Sequence, residues 1–244
     1  MEASVSGSAQ QLKVGGLGAL YLAAAYVVAM LYFLVFVKYT DVVDPVEKVT
    51  MIVANHGGLR VMNLVTYEVF GIILAILALS LHARLRSGAP VLAQAGAVVG
   101  CIWATMLVAC GLVTTAGGAA VVALHGTSPA QAVATWQAIE PVADGLGSAN
   151  GELLGGLWVL LVSVAALRAR AFPRALNWTG IVVGTAGLVS VVPGLAAGAY
   201  VFGLLQIVWF AWLGIVLLRT GSRPSESLAA ADHDAVAPLS HAAA

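Results

Sequence analysis

Residues 14–37 read VGGLGALYLAAAYVVAMLYFLVFV, an unbroken apolar run preceded by a single cation, Lys13, and followed by Lys38. A secretory signal has an apolar stretch of only about 7–15 residues. A membrane-crossing helix needs about 20. The run therefore reads as a retained first span, and the same measure applied along the chain gives five more, at 59–81, 91–115, 146–167, 177–197 and 200–219. The fold class that follows is all-α: a polytopic membrane helix bundle of six transmembrane helices. Its parts are a short N-terminus over 1–13, a transmembrane domain over 14–219, and a tail over 220–244. That tail has no periodic apolar face and is expected to be disordered and cytoplasmic.

Composition supports this reading. Of 244 residues, 61% are hydrophobic and 9% charged, against about a quarter charged in soluble domains. Eleven Lys+Arg balance eleven Asp+Glu, so no surplus charge points to nucleic acid. Cys101 and Cys110 both fall inside the third apolar segment, which argues against a disulfide framework, a zinc site or a CxxC pair.

Basic residues gather at cytoplasmic ends. With the N-terminus inside, that side holds Lys13, Arg84, Arg86, Arg168, Arg170, Arg174, Arg219 and Arg223, and the other side holds only Lys38, Lys48 and Arg60. Both termini are accordingly expected in the cytoplasm. The inner connections HARLRSGAP (82–90) and RARAFPRAL (168–176) are short and basic. The outer segments, 38–58 and 116–145, are longer and carry most of the remaining polar groups, and functional residues concentrate in such segments. In the second of them, Ser128, Pro129 and Gln131 have the order of an N-cap, a first-turn proline and a capping partner. A short helix is expected from there to Pro141, lying at the outer interface and anchored by Trp136.

The stretch NHGGLRVMNLVTYEVFG (55–71) holds the main polar candidates. At helical spacing Arg60, Asn63, Tyr67 and Gly71 share one face, with Glu68 beside it. His56 joins that face unless Gly57-Gly58 breaks the helix. Glu68 falls roughly 14 Å below the outer end, near the bilayer midplane, where an ionisable group marks a functional site by default. Glu152, about 10 Å into the fourth span, is expected in the same polar pocket, because a carboxylate at that depth must face protein or water. Alternatively, it is a helix-start carboxylate stabilised by the helix dipole. Glycines at 147, 151 and 155, and at 180 and 184, repeat at the small-xxx-small spacing that lets helices approach in lipid. His56, His125, Glu68 and Glu152 are ligand types zinc accepts, but no HxxH or HExxH pair accompanies them, and no metal is assigned. The tryptophans read as packing or interfacial belt.

The motifs ANGELLGGLWVLLVSVAAL (149–167) and FPRALNWTGIVVGTAG (172–187), taken with the length and span count, resemble an uncharacterised family of bacterial six-span integral membrane proteins, a domain-of-unknown-function family. That resemblance implies architecture and a place in the bacterial plasma membrane, and no activity. Three functions stay open. The first is binding or transport of a small or lipophilic molecule in an outward-opening pocket lined by His56, Arg60, Asn63, Tyr67, Glu68, His125 and Glu152. The second is an accessory subunit docking a membrane protein partner through its glycine-rich faces. The third is an integral-membrane enzyme with Glu68 or Glu152 as acid or base.

Overall fold

The computed structural model describes residues 2–148, 151–195 and 197–236. Helix α1 spans Glu2–Leu31 and continues as a wide π-type turn over Tyr32–Phe36. Helix α2 (Pro45–Ala54) is followed by α3 (His56–Asn63), a second π turn over Leu64–Val69, and α4 (Phe70–Leu85). Gly57-Gly58 does not interrupt α3. Then come α5 (Pro90–His125), α6 (Pro129–Ala143), α7 (Glu152–Ala169), α8 (Arg174–Ser190) and α9 (Gly198–Val236). Among the described residues five helical stretches are long and apolar enough to cross a membrane: Gln10–Phe36, His56–Leu85, Pro90–His125, Pro129–Ala169 and Gly198–Gly221. The fifth segment expected from the sequence forms α8, a shorter helix of 17 residues. Helical backbone also runs past the expected start of the disordered tail, to Val236; residues 237–244 lie outside the described residues.

Six helices close a ring in which α1 packs on α4, α4 on α5, α5 on α7, α7 on α8, α8 on α9, and α9 back on α1. Its interior holds Trp103, Trp158, Trp209 and Phe210, all nearly inaccessible, with Leu22, Leu74, Leu77 and Leu213. Trp158 meets Trp103 and Trp209 at 5.8 Å each. Large apolar side chains such as Phe36, Val91 and Trp178 point outward, as a lipid-facing surface requires.

Glycine packing joins α7 to α8 through Gly184, as the spacing suggested, but its partner on α7 is Gly156, one residue beyond the expected Gly155. A methyl group at Gly156 would lie 2.8 Å from the Gly184 carbonyl oxygen and 3.0 Å from Gly187 Cα. Gly155 instead faces the rings of Phe202 and Trp103. Gly147 does not pack as part of a helix face: it takes φ +140° at the kink between α6 and α7, a conformation open to glycine and strained for other residues.

Helix α5 has 36 residues, about 54 Å at 1.5 Å each, and so overruns a ~30 Å hydrocarbon core. Its last turns carry a small second core of Val49, Ile52, Val121, Ala132 and Trp136. There α2 and α6 pack on the end of α5 to form a cap. This corrects the expected role of Trp136 as an interfacial anchor. Trp136 is 7% exposed inside the cap and anchors nothing in lipid, and Pro141 lies within α6. The Ser128 side chain forms no capping bond; its carbonyl accepts from the Gln131 and Ala132 amides instead.

Candidate functional site

Asp44 starts α2 with its Oδ1 accepting from the Val46 and Glu47 amides, both at 2.9 Å, as an N-cap residue does. That start puts Lys48 and Ile52, one turn apart, on the face toward α6, where Trp136 and Glu140 are likewise one turn apart. Lys48 Nζ donates to Glu140 Oε1 at 2.8 Å, and Tyr39 Oη donates to the same oxygen at 2.9 Å. The ammonium also lies 5.0 Å from the Tyr39 ring centroid, within cation–π range. Burial first, and the Glu140 carboxylate second, hold the Tyr39 phenol above its ordinary value. These three side chains clamp α2 to α6 across 92 residues of sequence.

Facing that clamp are His56, Arg60 and Asn63 of α3, Tyr67 of the π turn, and Thr114, Thr115 and Gly118 of α5. Together they enclose a cavity of about 420 Å³, within the range of small-molecule sites. Asn63 Nδ2 donates to Thr115 Oγ1 at 3.5 Å, and the Thr114 hydroxyl turns back to the Cys110 carbonyl at 2.8 Å. A methyl group at Gly118 would lie 3.7 Å from His56 Nδ1, so the absence of a side chain there leaves room beside the imidazole. Arg60 is exposed at the rim and has no hydrogen-bond or ion-pair partner among the described residues.

The π turn explains the lower boundary. Widening the helix frees carbonyls, and two hydroxyls take them up: Tyr21 of α1 donates to Val65 O at 2.7 Å, and Thr66 donates to Met62 O at 2.7 Å. Tyr67 and Phe33 line both the outer cavity and a second, inner one of about 170 Å³. They are the partition between the two. The inner cavity contains Glu152, Tyr26, Phe70 and Trp103, with Gly147 and Gly151 at its edge.

Of the residues expected to share one pocket, the outer cavity gathers His56, Arg60, Asn63 and Tyr67. Glu152 is in the inner cavity and meets the first set only through Tyr67. Glu68 lines neither. The π turn shifts the helical phase, and the Glu68 chain lies against α5 at Gly111, where an added methyl would be 2.9 Å from its Cγ. His125 also lines neither cavity; its Nδ1 is buried at the end of α5 without a hydrogen-bond partner. Neither Glu68 nor Glu152 therefore lines a cavity in common with His56 or His125. Lys48, Glu140, Tyr39 and Asp144 were not foreseen as site residues. The helical spacing of Trp136 and Glu140 is visible in the sequence, but Lys48 falls in a segment that reads only as an outer connection, and their partnership is a tertiary fact.

Among the described residues no three His, Cys, Asp or Glu side chains group to hold a metal; Cys101 and Cys110 are not joined in a disulfide, and the Cys110 thiol donates to the Ala143 carbonyl at 3.4 Å. No family model, no curated protein and no solved structure matches this chain. What its own residues establish is an all-helical protein with five helices long and apolar enough to cross a membrane.

Proposed function

We propose that this chain is a six-span bacterial plasma-membrane protein, both termini cytoplasmic, that binds a small amphipathic molecule in the outward-opening outer cavity. The observation that carries the reading is a ~420 Å³ space with a guanidinium at its rim, Arg60, that has no partner among the described residues, roofed by the α2–α6 cap. Arg60 suits the anionic end of a ligand, since guanidinium pairs carboxylate or phosphate in two-point fashion. The apolar surfaces of Phe33, Ile52, Leu59 and Trp136 suit its hydrocarbon part.

Orientation rests on the eight-to-three division of basic residues. The two basic connections also meet at one end of the ring, since Gly88 packs directly on the Ala169 backbone. The sixth span is α8, whose 17 residues reach about 26 Å, at the short end of what crosses a bilayer. Of the glycines that suggested a docking face, Gly155 packs on Phe202 and Trp103, Gly180 on Ser163 and Trp209, and Gly184 on Gly156, all inside the fold, which leaves less support for an accessory subunit.

The test is purification in mild detergent, with mass spectrometry of extracted small molecules from the parent and from Arg60→Gln. An amphipathic acid enriched in the parent and depleted in the variant is expected. Equal recovery from both, or no retained molecule, would refute the reading.

A further inference from the structure

The inner cavity differs in chemistry from the outer one. Six of its fourteen lining residues are aromatic: Tyr26, Phe33, Tyr67, Phe70, Trp103 and Phe202. The sole carboxylate among them is Glu152, and no Lys, Arg or His is among the described lining residues. Several rings stand steeply to one another, Phe70 making near-perpendicular contacts with Tyr26 at 5.4 Å and with Trp103 at 6.4 Å, each with planes 70° apart. Trp103 is 2% exposed, and its Nε1 has no hydrogen-bond partner among the described residues. That nitrogen faces Gly151, where a methyl group would lie 3.7 Å away.

We propose that the inner cavity is a binding site for a small organic ammonium ion of the amino-alcohol class, separate from the outer cavity's ligand. Aromatic walls with a carboxylate are the recognition chemistry of alkylated ammonium groups, which the ring faces attract electrostatically. The Trp103 N–H lacks an acceptor among the described residues, and an oxygen two carbons from the ligand's nitrogen could accept from it. A volume of about 170 Å³ corresponds to about six waters at ~30 Å³ each, room for a ligand of roughly six to eight heavy atoms.

Competing occupants fit less well. An anion would meet Glu152 with no cation in the lining. A bare metal cation such as calcium requires 6–8 oxygen ligands, far more than one carboxylate provides. A neutral apolar molecule leaves both Glu152 and the Trp103 N–H without a partner.

The assignment is tested by isothermal titration calorimetry on the full chain in mild detergent, at constant ionic strength. Choline chloride and tetramethylammonium chloride are the probes, with the uncharged isostere of choline, carbon replacing nitrogen, as control. Choline is expected to bind saturably, and the isostere at least about tenfold more weakly. Glu152→Gln should weaken both cations about tenfold. Trp103→Phe, which keeps a ring but removes the N–H, should weaken choline and spare tetramethylammonium. Arg60→Gln should leave choline binding unchanged, so that failure of the outer-cavity reading does not decide this one. The proposal is overturned if neither cation binds saturably, if the isostere equals choline, or if Arg60→Gln rather than Glu152→Gln abolishes binding. Should Glu152→Gln fail to fold, the isostere comparison on the parent protein still decides.

Discussion

Gly156→Ala tests how the bundle is held together, because the added methyl has nowhere to go. Its nearest neighbours are the Gly184 oxygen at 2.8 Å and Gly187 Cα and Leu188 N at 3.0 Å, all backbone. No side chain can rotate away, so α7 and α8 must part by about 0.6 Å to restore an ordinary contact near 3.4 Å. A gap of 0.5–1 Å forfeits roughly a quarter to a half of each dispersion contact along the seam. In lipid there is no hydrophobic gain between helices to compensate. Overpacking of this kind costs about 1–3 kcal/mol. Gly155→Ala meets only the ring edges of Phe202 and Trp103, at 2.7 and 2.8 Å, and these side chains have some freedom to shift, so it should cost less. Gly57→Ala meets nothing within 4 Å and should be neutral or, through helix propensity, stabilising by up to about 1 kcal/mol. Thermal unfolding of the three variants in one detergent measures the series. Adding Gly184→Ala to Gly156→Ala should cost less than the sum of the singles, because the helices have already separated. A Gly156→Ala protein that melts with the parent would refute the close α7–α8 contact.

Glu140→Gln should destabilise the cap by about 1–2 kcal/mol, since the Lys48 ammonium loses a mostly buried partner. In the parent, Tyr39 is raised above 10.0, so its stabilising contribution is complete below that pH and fades as pH rises beyond it toward the folded value. Glu140→Gln should lower the Tyr39 value without normalising it, because burial remains; tyrosinate absorbance on titration reads this, and an unchanged titration would contradict the Tyr39–Glu140 bond. A cysteine at exposed Thr127 should react with an impermeant thiol reagent on intact cells, and one at exposed Ser87 should not; the reverse pattern would turn the outer cavity toward the cytoplasm. Glu68→Gln should leave ligand recovery from the outer cavity and choline binding to the inner one unchanged. A loss at either site would place Glu68 in a cavity lining after all.

The sequence by itself determined where the apolar helices run, but not how long each one is: α5 and α9 run well past the expected ends and α8 stops short. Hydropathy, proline placement and loop charge are properties of neighbouring residues, so the apolar runs, the Pro129 start of α6 and the basic connections were readable, whereas α2 lies in a segment that reads only as an outer connection. His56, Arg60, Asn63 and Tyr67 were found together because they lie within three turns of one helix.

Contacts between helices were decided only by the tertiary structure, because they depend on rotational phase. The π turn at Leu64–Val69 changes that phase in the middle of a segment that reads as regular helix, keeping Tyr67 on the cavities and laying Glu68 against Gly111. The extra length of α5 gave α2 and α6 a post to pack on, and so created a cap, the Lys48–Glu140 pair and the outer cavity. Likewise, the helical spacing of the glycines could not say which of Gly155 and Gly156 meets α8. Adjacent residues lie about 100° apart on a helix, and only the packed ring selects which of two neighbouring faces looks at a partner.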